Sequence, residues 1–143
     1  MKAIGLIFLF VILAIACNND DATPSNQSKV ENIAKSGTWK ITYFYDTDKD
    51  ETANFNGYNF TFGTSLTATN GVNTYTGTWS ISDSNSNDDS MDDLNFNIAF
   101  SAPPDFQDLS DDWDILEVTE TKIKLTDVSG GGGGTDYLTF EKN

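Results

Sequence analysis

At 143 residues the chain has the length of one domain, and its 38% hydrophobic and 13% aromatic content suffices to line one core. Eight basic residues, all lysine, stand against 22 acidic ones, for a net charge of −14. That balance excludes partners that are themselves polyanions, nucleic acid above all, and favours a water-facing surface, a cationic partner or a divalent cation. Without arginine there is no planar phosphate reader, and without histidine no ordinary near-neutral acid–base group.

Lys2 precedes an unbroken apolar run over residues 3–16 that ends at Cys17. A bilayer span takes about 20 residues, so this run is short for one. A positive start, an apolar centre and small residues before the break describe a secretory signal peptide over 1–16. Ala14-Ile15-Ala16-Cys17 resembles the bacterial lipobox, whose cysteine is acylated and becomes the new N-terminus. The usual leucine is displaced by one place, to Leu13. The alternative is a plain cleaved signal followed by a buried free cysteine, since a lone cysteine forms no internal disulfide. Acyl chains contribute about 0.8 kcal/mol per buried CH₂, so several of them would anchor the protein to a membrane.

Residues 17–35 then read as a lipidated flexible tether and a short helix. Asp20 and Asp21 resemble the acidic export signal of surface lipoproteins in the Bacteroidota; the alternative is a solvated tether facing the periplasm. Either way the resemblance implies an outer-membrane, lipid-anchored protein. Ser28-Lys-Val-Glu31 fits a capping box opening the helix, with Val30 and Ile33 on one side and Gly37 ending it.

The remainder, 36–143, alternates with the period of two that marks half-buried strands. In residues 37–45, Trp39, Ile41, Tyr43 and Tyr45 are expected on one face, with Lys40 and Thr42 on the other. A charged loop, 46–54, leads to a strand near 57–62 on which Tyr58, Phe60 and Phe62 share a face. After Gly63-Thr64 come Leu66 and Ala68, then Asn70-Gly71, a type I′ hairpin signal. Over 73–82, Tyr75, Gly77, Trp79 and Ile81 alternate with small hydroxylated residues. An acidic loop, 82–93, precedes the alternating Leu94, Phe96, Ile98 and Phe100. Residues 105–109 fit one helical turn, with Phe106 and Leu109 on one side. Alternation is poor over 113–118, as at a bulge. Ile123 and Leu125, and then Leu138 and Phe140 after five glycines, complete the inward set. About eight short strands with no long helix predict an all-β protein, a small antiparallel up-and-down barrel; a flattened sandwich and an open half-barrel are the alternatives.

Gly37-Thr38-Trp39, at the head of the first strand after a short helix, resembles the Gly-x-Trp signature of lipocalins. With Asn56-Gly-Tyr-Asn-Phe-Thr-Phe62, Gly77-Thr-Trp-Ser-Ile81 and Leu138-Thr-Phe-Glu-Lys142, the stretch 36–143 resembles the lipocalin-like domain of bacterial lipoproteins. The resemblance implies a barrel able to hold a small apolar ligand. In that family an arginine from the last strand packs over the motif tryptophan; here Lys142 is the residue placed to substitute for it, without the planar group.

In a meander the connections alternate between two ends, so loops 46–54, 102–111 and 127–135 should gather at a mouth and Trp39 at a floor. Tyr43, Tyr45, Tyr58, Tyr75, Phe100 and Trp113 are the expected mouth rings. They would form either a shallow pocket for an apolar or glycan ligand, or the packing of a filled barrel, since a barrel of eight strands is only just wide enough for side chains to fill. Tyr137 opposes the parity of Leu138 and Phe140. Asp46, Asp48 and Asp50 have a spacing at which hard oxygens can meet on Ca²⁺, but Glu51 replaces a calcium loop's glycine, so the choice is a loose surface site or a solvated hairpin. No nucleophile elbow, phosphate loop or histidine is present, so the expectation is a monomeric non-enzyme without affinity for nucleic acid. Asp89-Ser90-Met91 resembles a short O-glycosylation sequon used by Bacteroidota.

Overall fold

Alternate side chains of consecutive strands point to one face, and here that face closes on itself. The computed structural model describes residues 24–85, 90–129 and 133–143; the signal segment 1–16, Cys17, Asp20, Asp21, Asp89 and the first three residues of the glycine run lie outside the described residues. β1 (Trp39–Asp46), β2 (Lys49–Asp50), β3 (Asn59–Phe62), β4 (Leu66–Thr69), β5 (Thr74–Asp83), β6 (Leu94–Ala99), β7 (Asp111–Thr119), β8 (Lys122–Val128) and β9 (Thr135–Lys142) follow one another in a single antiparallel sheet. β1 also pairs with β9, from Trp39 opposite Lys142 to Tyr45 opposite Tyr137. Eight strands thus form a closed up-and-down barrel, with β2 a short flap on β1.

The weakest seam lies between β1 and β3, which pair only at Trp39 and Phe60. Beyond that point a 3₁₀ turn, Thr52–Phe55, fills the gap. The Phe44 N–H donates to Thr52 Oγ1 at 2.8 Å, and the Phe44 carbonyl accepts from the Glu51 N–H at 2.9 Å, so the backbone left without a strand partner is satisfied. Phe55 enters the core through the same gap, with its ring 5.5 Å from that of Phe44.

Two expectations about parity meet the structure differently. The pairing of β1 with β9 shifts between Ile41 and Tyr43, and the shift reverses every later side chain. Phe44 is therefore buried, whereas Tyr43 is 40% exposed and Tyr45 lies on the outer face with it, the two rings stacked 6.3 Å apart. Tyr43 and Tyr45 do not face the interior with Trp39 and Ile41. The expected irregularity in β7 is present: its register against β8 shifts between Ile115 and Glu117, leaving Leu116 exposed. Tyr137 points outward, as its parity required.

α1 (Asn26–Lys35) begins earlier than the capping box at Ser28 implied. Ser25 is the cap, its hydroxyl accepting from the Ser28 N–H at 3.2 Å, and the helix runs for 10 residues. Val30 and Ala34 are buried against the barrel floor. The hairpin at Asn70-Gly71 is not type I′, because only Gly71 has positive φ. The Asn70 side chain instead accepts from the Val72 and Asn73 N–H groups, and the Asn70 backbone N–H donates to the Asn73 carbonyl at 3.2 Å, closing a wider turn. At Gly77 the requirement is space: a Cβ there would lie 2.3 Å from the Ala99 carbonyl oxygen and 2.9 Å from the Phe100 ring. Glycine is what lets Phe100 fold over β5.

Candidate functional site at the barrel mouth

The connection between β6 and β7 decides what the mouth is. α2 (Pro104–Gln107) is a single turn started by proline, a residue suited to that place because it has no N–H to lose. Ser110 Oγ bonds both backbone groups of Phe100, accepting from its N–H at 2.9 Å and donating to its carbonyl at 3.2 Å, so the loop is pinched shut at its base. Its two apolar side chains, Phe106 and Leu109, are driven into the barrel and are 2% and 0% exposed. The Trp113 indole N–H holds the Leu109 carbonyl at 3.0 Å.

Phe106 touches five rings: Phe55, Tyr58, Phe60, Tyr75 and Phe100, with centroids 4.8 to 6.0 Å away. The mouth is plugged by its own loop. Of the six rings expected there, Tyr58, Tyr75 and Phe100 meet around this plug, and Trp113 joins the same core through Phe44 at 6.4 Å. Tyr43 and Tyr45 do not, for the reason given above. Tyr58 and Tyr75 stack at 5.9 Å and are half-buried, which suits a ring with one apolar and one wet side. The Tyr75 phenol is raised by its Tyr58 hydroxyl partner, by burial and by nearby Asp105.

Carboxylates ring the plug, but not in the expected set. Asp46 is joined by Glu51 and Asp108, whose oxygens lie within 4.8 Å of one another. Asp48 and Asp50 are not part of that set; Asp50 accepts from the Thr52 N–H at 3.0 Å, and its carboxyl is lowered first by the Thr52 side chain and then by this backbone bond. Asp46, Glu51 and Asp108 are therefore the residues that could hold a cation here. Glu51 is ion-paired with Lys49, whose ammonium is held protonated by that partner first and by Asp105 and Asp108 more weakly. The hairpin tip is strained, with Thr47 at φ 54°, and is tied to the start of β9 by its N–H donating to Asp136 at 2.6 Å. The described residues of loops 46–54, 102–111 and 127–135 do gather at one end. Sequence reasoning missed Phe44 and Phe55; the signal was present, as each is an apolar ring in an otherwise polar or tyrosine-rich stretch.

The Asp108 carboxyl is raised, first by partial loss of solvent and then by Asp46, Glu51 and Asp105, with Lys49 opposing. A raised carboxyl binds its proton more tightly folded than unfolded, so its charge costs stability at neutral pH, and the cost disappears as pH falls below the ordinary carboxylate range. Asp108→Asn is accordingly expected to raise the Tm at pH ~7 and to leave it unchanged at pH ~3. Thermal melts at the two values check this; an equal shift at both would assign the effect to something other than charge.

The fold and this site define a class, a closed antiparallel β-barrel plugged at its mouth by an aromatic side chain and rimmed with carboxylates. Among the described residues no helix is long and apolar enough to cross a membrane. Comparison of the chain with protein-family models, with curated proteins and with solved structures finds no match.

Proposed function

We propose that this protein is a lipid-anchored lipoprotein of the outer membrane whose filled barrel serves as a non-catalytic interaction module, meeting a cationic partner or Ca²⁺ through its acidic mouth rim. The observation that carries this reading is Phe106: a ring packed against five others occupies the place an internal ligand would take. Asp46, Glu51 and Asp108 supply the rim, and the chain's net charge of −14 adds a long-range field of the same sign. The lone Cys17 after an apolar run supports the anchor, and Asp20 and Asp21 bear on which face of the membrane it serves. A second reading, a small apolar or glycan ligand held at the mouth, draws support from the half-buried Tyr58–Tyr75 pair and requires Phe106 to move aside.

The two readings separate in one titration series. A lysine-rich peptide and Ca²⁺ are expected to bind the full-length protein and raise its Tm, peptide binding to weaken as salt rises, and both to be lost in the triple variant Asp46→Asn, Glu51→Gln, Asp108→Asn. Fatty acids are expected to leave the Tm and the tryptophan fluorescence unchanged. Saturable fatty-acid binding with no response to peptide or Ca²⁺ would sink the first reading in favour of the second. The anchor is tested separately, by incorporation of a labelled acyl chain that Cys17→Ser abolishes.

A further inference from the structure

The opposite end of the barrel carries a cleft that the mouth does not account for. β4 begins only at Leu66, opposite Gly77, while β5 runs on to Asp83 with only β6 beside it. The other edge of β5 beyond Gly77 is therefore left without a strand, and α1 lies across that end rather than pairing with it. A side-chain bond bridges the two, from Gln27 Nε2 to the Ile81 carbonyl at 2.9 Å. Between helix and strand opens a cleft of about 510 Å³, bordered by Glu31, Lys35, Thr64, Trp79 and Ser80.

Trp79 is the feature that makes this cleft a site. Trp39 and Trp113 are 0% and 1% exposed, whereas Trp79 is only partly buried. Its indole is fixed by the N–H donating to the Gly63 carbonyl at 2.8 Å, by Phe96 stacked at 5.8 Å and by Phe62 edge-on at 5.2 Å. A charged pair covers it: Lys35 and Glu31 lie 3.3 Å apart, and the ammonium sits over the Trp79 ring, 5.7 Å from its centre, so a ligand stacking on that face swings the lysine aside. The cleft thus offers a rigid aromatic ring, one donor cation and one acceptor anion within a single open concavity that Thr64 and Ser80 also border.

We infer that this cleft binds a saccharide of one or two pyranose units. A pyranose has an apolar C–H face that suits an aromatic ring, and a rim of hydroxyls that both donate and accept, matching Glu31 and Lys35 together. A fatty chain would need enclosed apolar walls, and this cleft is open and bordered by charges and hydroxyls. A phosphate ligand would meet one lysine already paired with a carboxylate, on a protein of net charge −14. The cleft is of the volume that small ligands occupy.

Trp79, as the partly exposed tryptophan, is the natural reporter. Titration of the full-length protein with N-acetylglucosamine, chitobiose, cellobiose and maltose is expected to give a saturable fluorescence change for at least one, with a dissociation constant on the order of 1 mM. Glu31→Gln, a near-isosteric change at a half-buried side chain on the cleft's edge, is expected to weaken that binding about tenfold with the Tm nearly unchanged. Trp79→Phe, which keeps a ring between Phe62 and Phe96, should abolish the fluorescence response and weaken binding measured by saturation-transfer NMR. The mouth variant Asp46→Asn, Glu51→Gln, Asp108→Asn should bind sugar as the native chain does, so this inference and the mouth reading stand or fall apart from each other. Silence by both methods with all four sugars at about 50 mM overturns it. So does binding that survives Glu31→Gln and Trp79→Phe unchanged.

Discussion

Phe106→Ala is expected to destabilise the barrel by about 3–5 kcal/mol, the range for removing a fully buried ring. For a domain of this size that is a fall in Tm of roughly 10–20 °C. The upper half of the range follows from what surrounds the ring. Phe55, Tyr58, Phe60, Tyr75 and Phe100 are large and stand on separate elements, so they cannot all move into the void. α2 can relax inward only slightly, because Ser110 binds both backbone groups of Phe100 and Trp113 holds the Leu109 carbonyl. A cavity walled by rings is also a binding site, so indole, added to the variant, should recover part of the lost Tm and have no effect on the native chain. Thermal melts with and without indole measure both effects. A fall of less than about 3 °C would mean that the ring is not a plug, and the filled-barrel reading would lose its main support.

How much of this was legible in the residues differs by element, and the differences have physical causes. Strands in which every second residue is strongly apolar, such as Leu94, Phe96 and Ile98, or Leu138 and Phe140, were readable, because no other face could be buried. β1 was readable only to Ile41. Past it, Tyr43, Phe44 and Tyr45 offer rings of both parities, and tyrosine is content on either side of a sheet, so a one-residue shift carries little local penalty. What decides the register is the long-range pairing with β9, which no nearby residue announces. The acidic rim failed for a related reason. Regular spacing brought Asp46, Asp48 and Asp50 to notice, while the partners that geometry supplies are Glu51, in the same loop but off that spacing, and Asp108, from a different loop. The helical turn at Phe106 was expected; its insertion into the barrel was not, since a one-turn helix looks the same in sequence whether it caps the mouth or enters it.

Trp39→Ala is expected to cost a similar amount, about 3–5 kcal/mol, and to act on two structures at once. The ring is 0% exposed and sits where the barrel closes, opposite Lys142 of β9 on one side and Phe60 of β3 on the other. Its indole N–H donates to the Ala34 carbonyl at 2.9 Å, the contact that ties the end of α1 to the floor. Lys142 lies over the ring with its ammonium 5.0 Å from the centre and donates at 2.9 Å to the Ser36 hydroxyl just past the helix. Lys142→Met removes the charge but keeps much of the covering stem, and should cost only about 0.5–1 kcal/mol. If the tryptophan is what docks the helix, Trp39→Ala should speed amide exchange over 26–35 far more than in β8, whereas Lys142→Met should leave that ratio near the native one. Equal acceleration of both segments in Trp39→Ala would show that α1 and the sheet open as one unit. Val30 and Ala34, buried against the floor, would then be enough to hold the helix in place, and the indole bond would set its angle rather than its attachment.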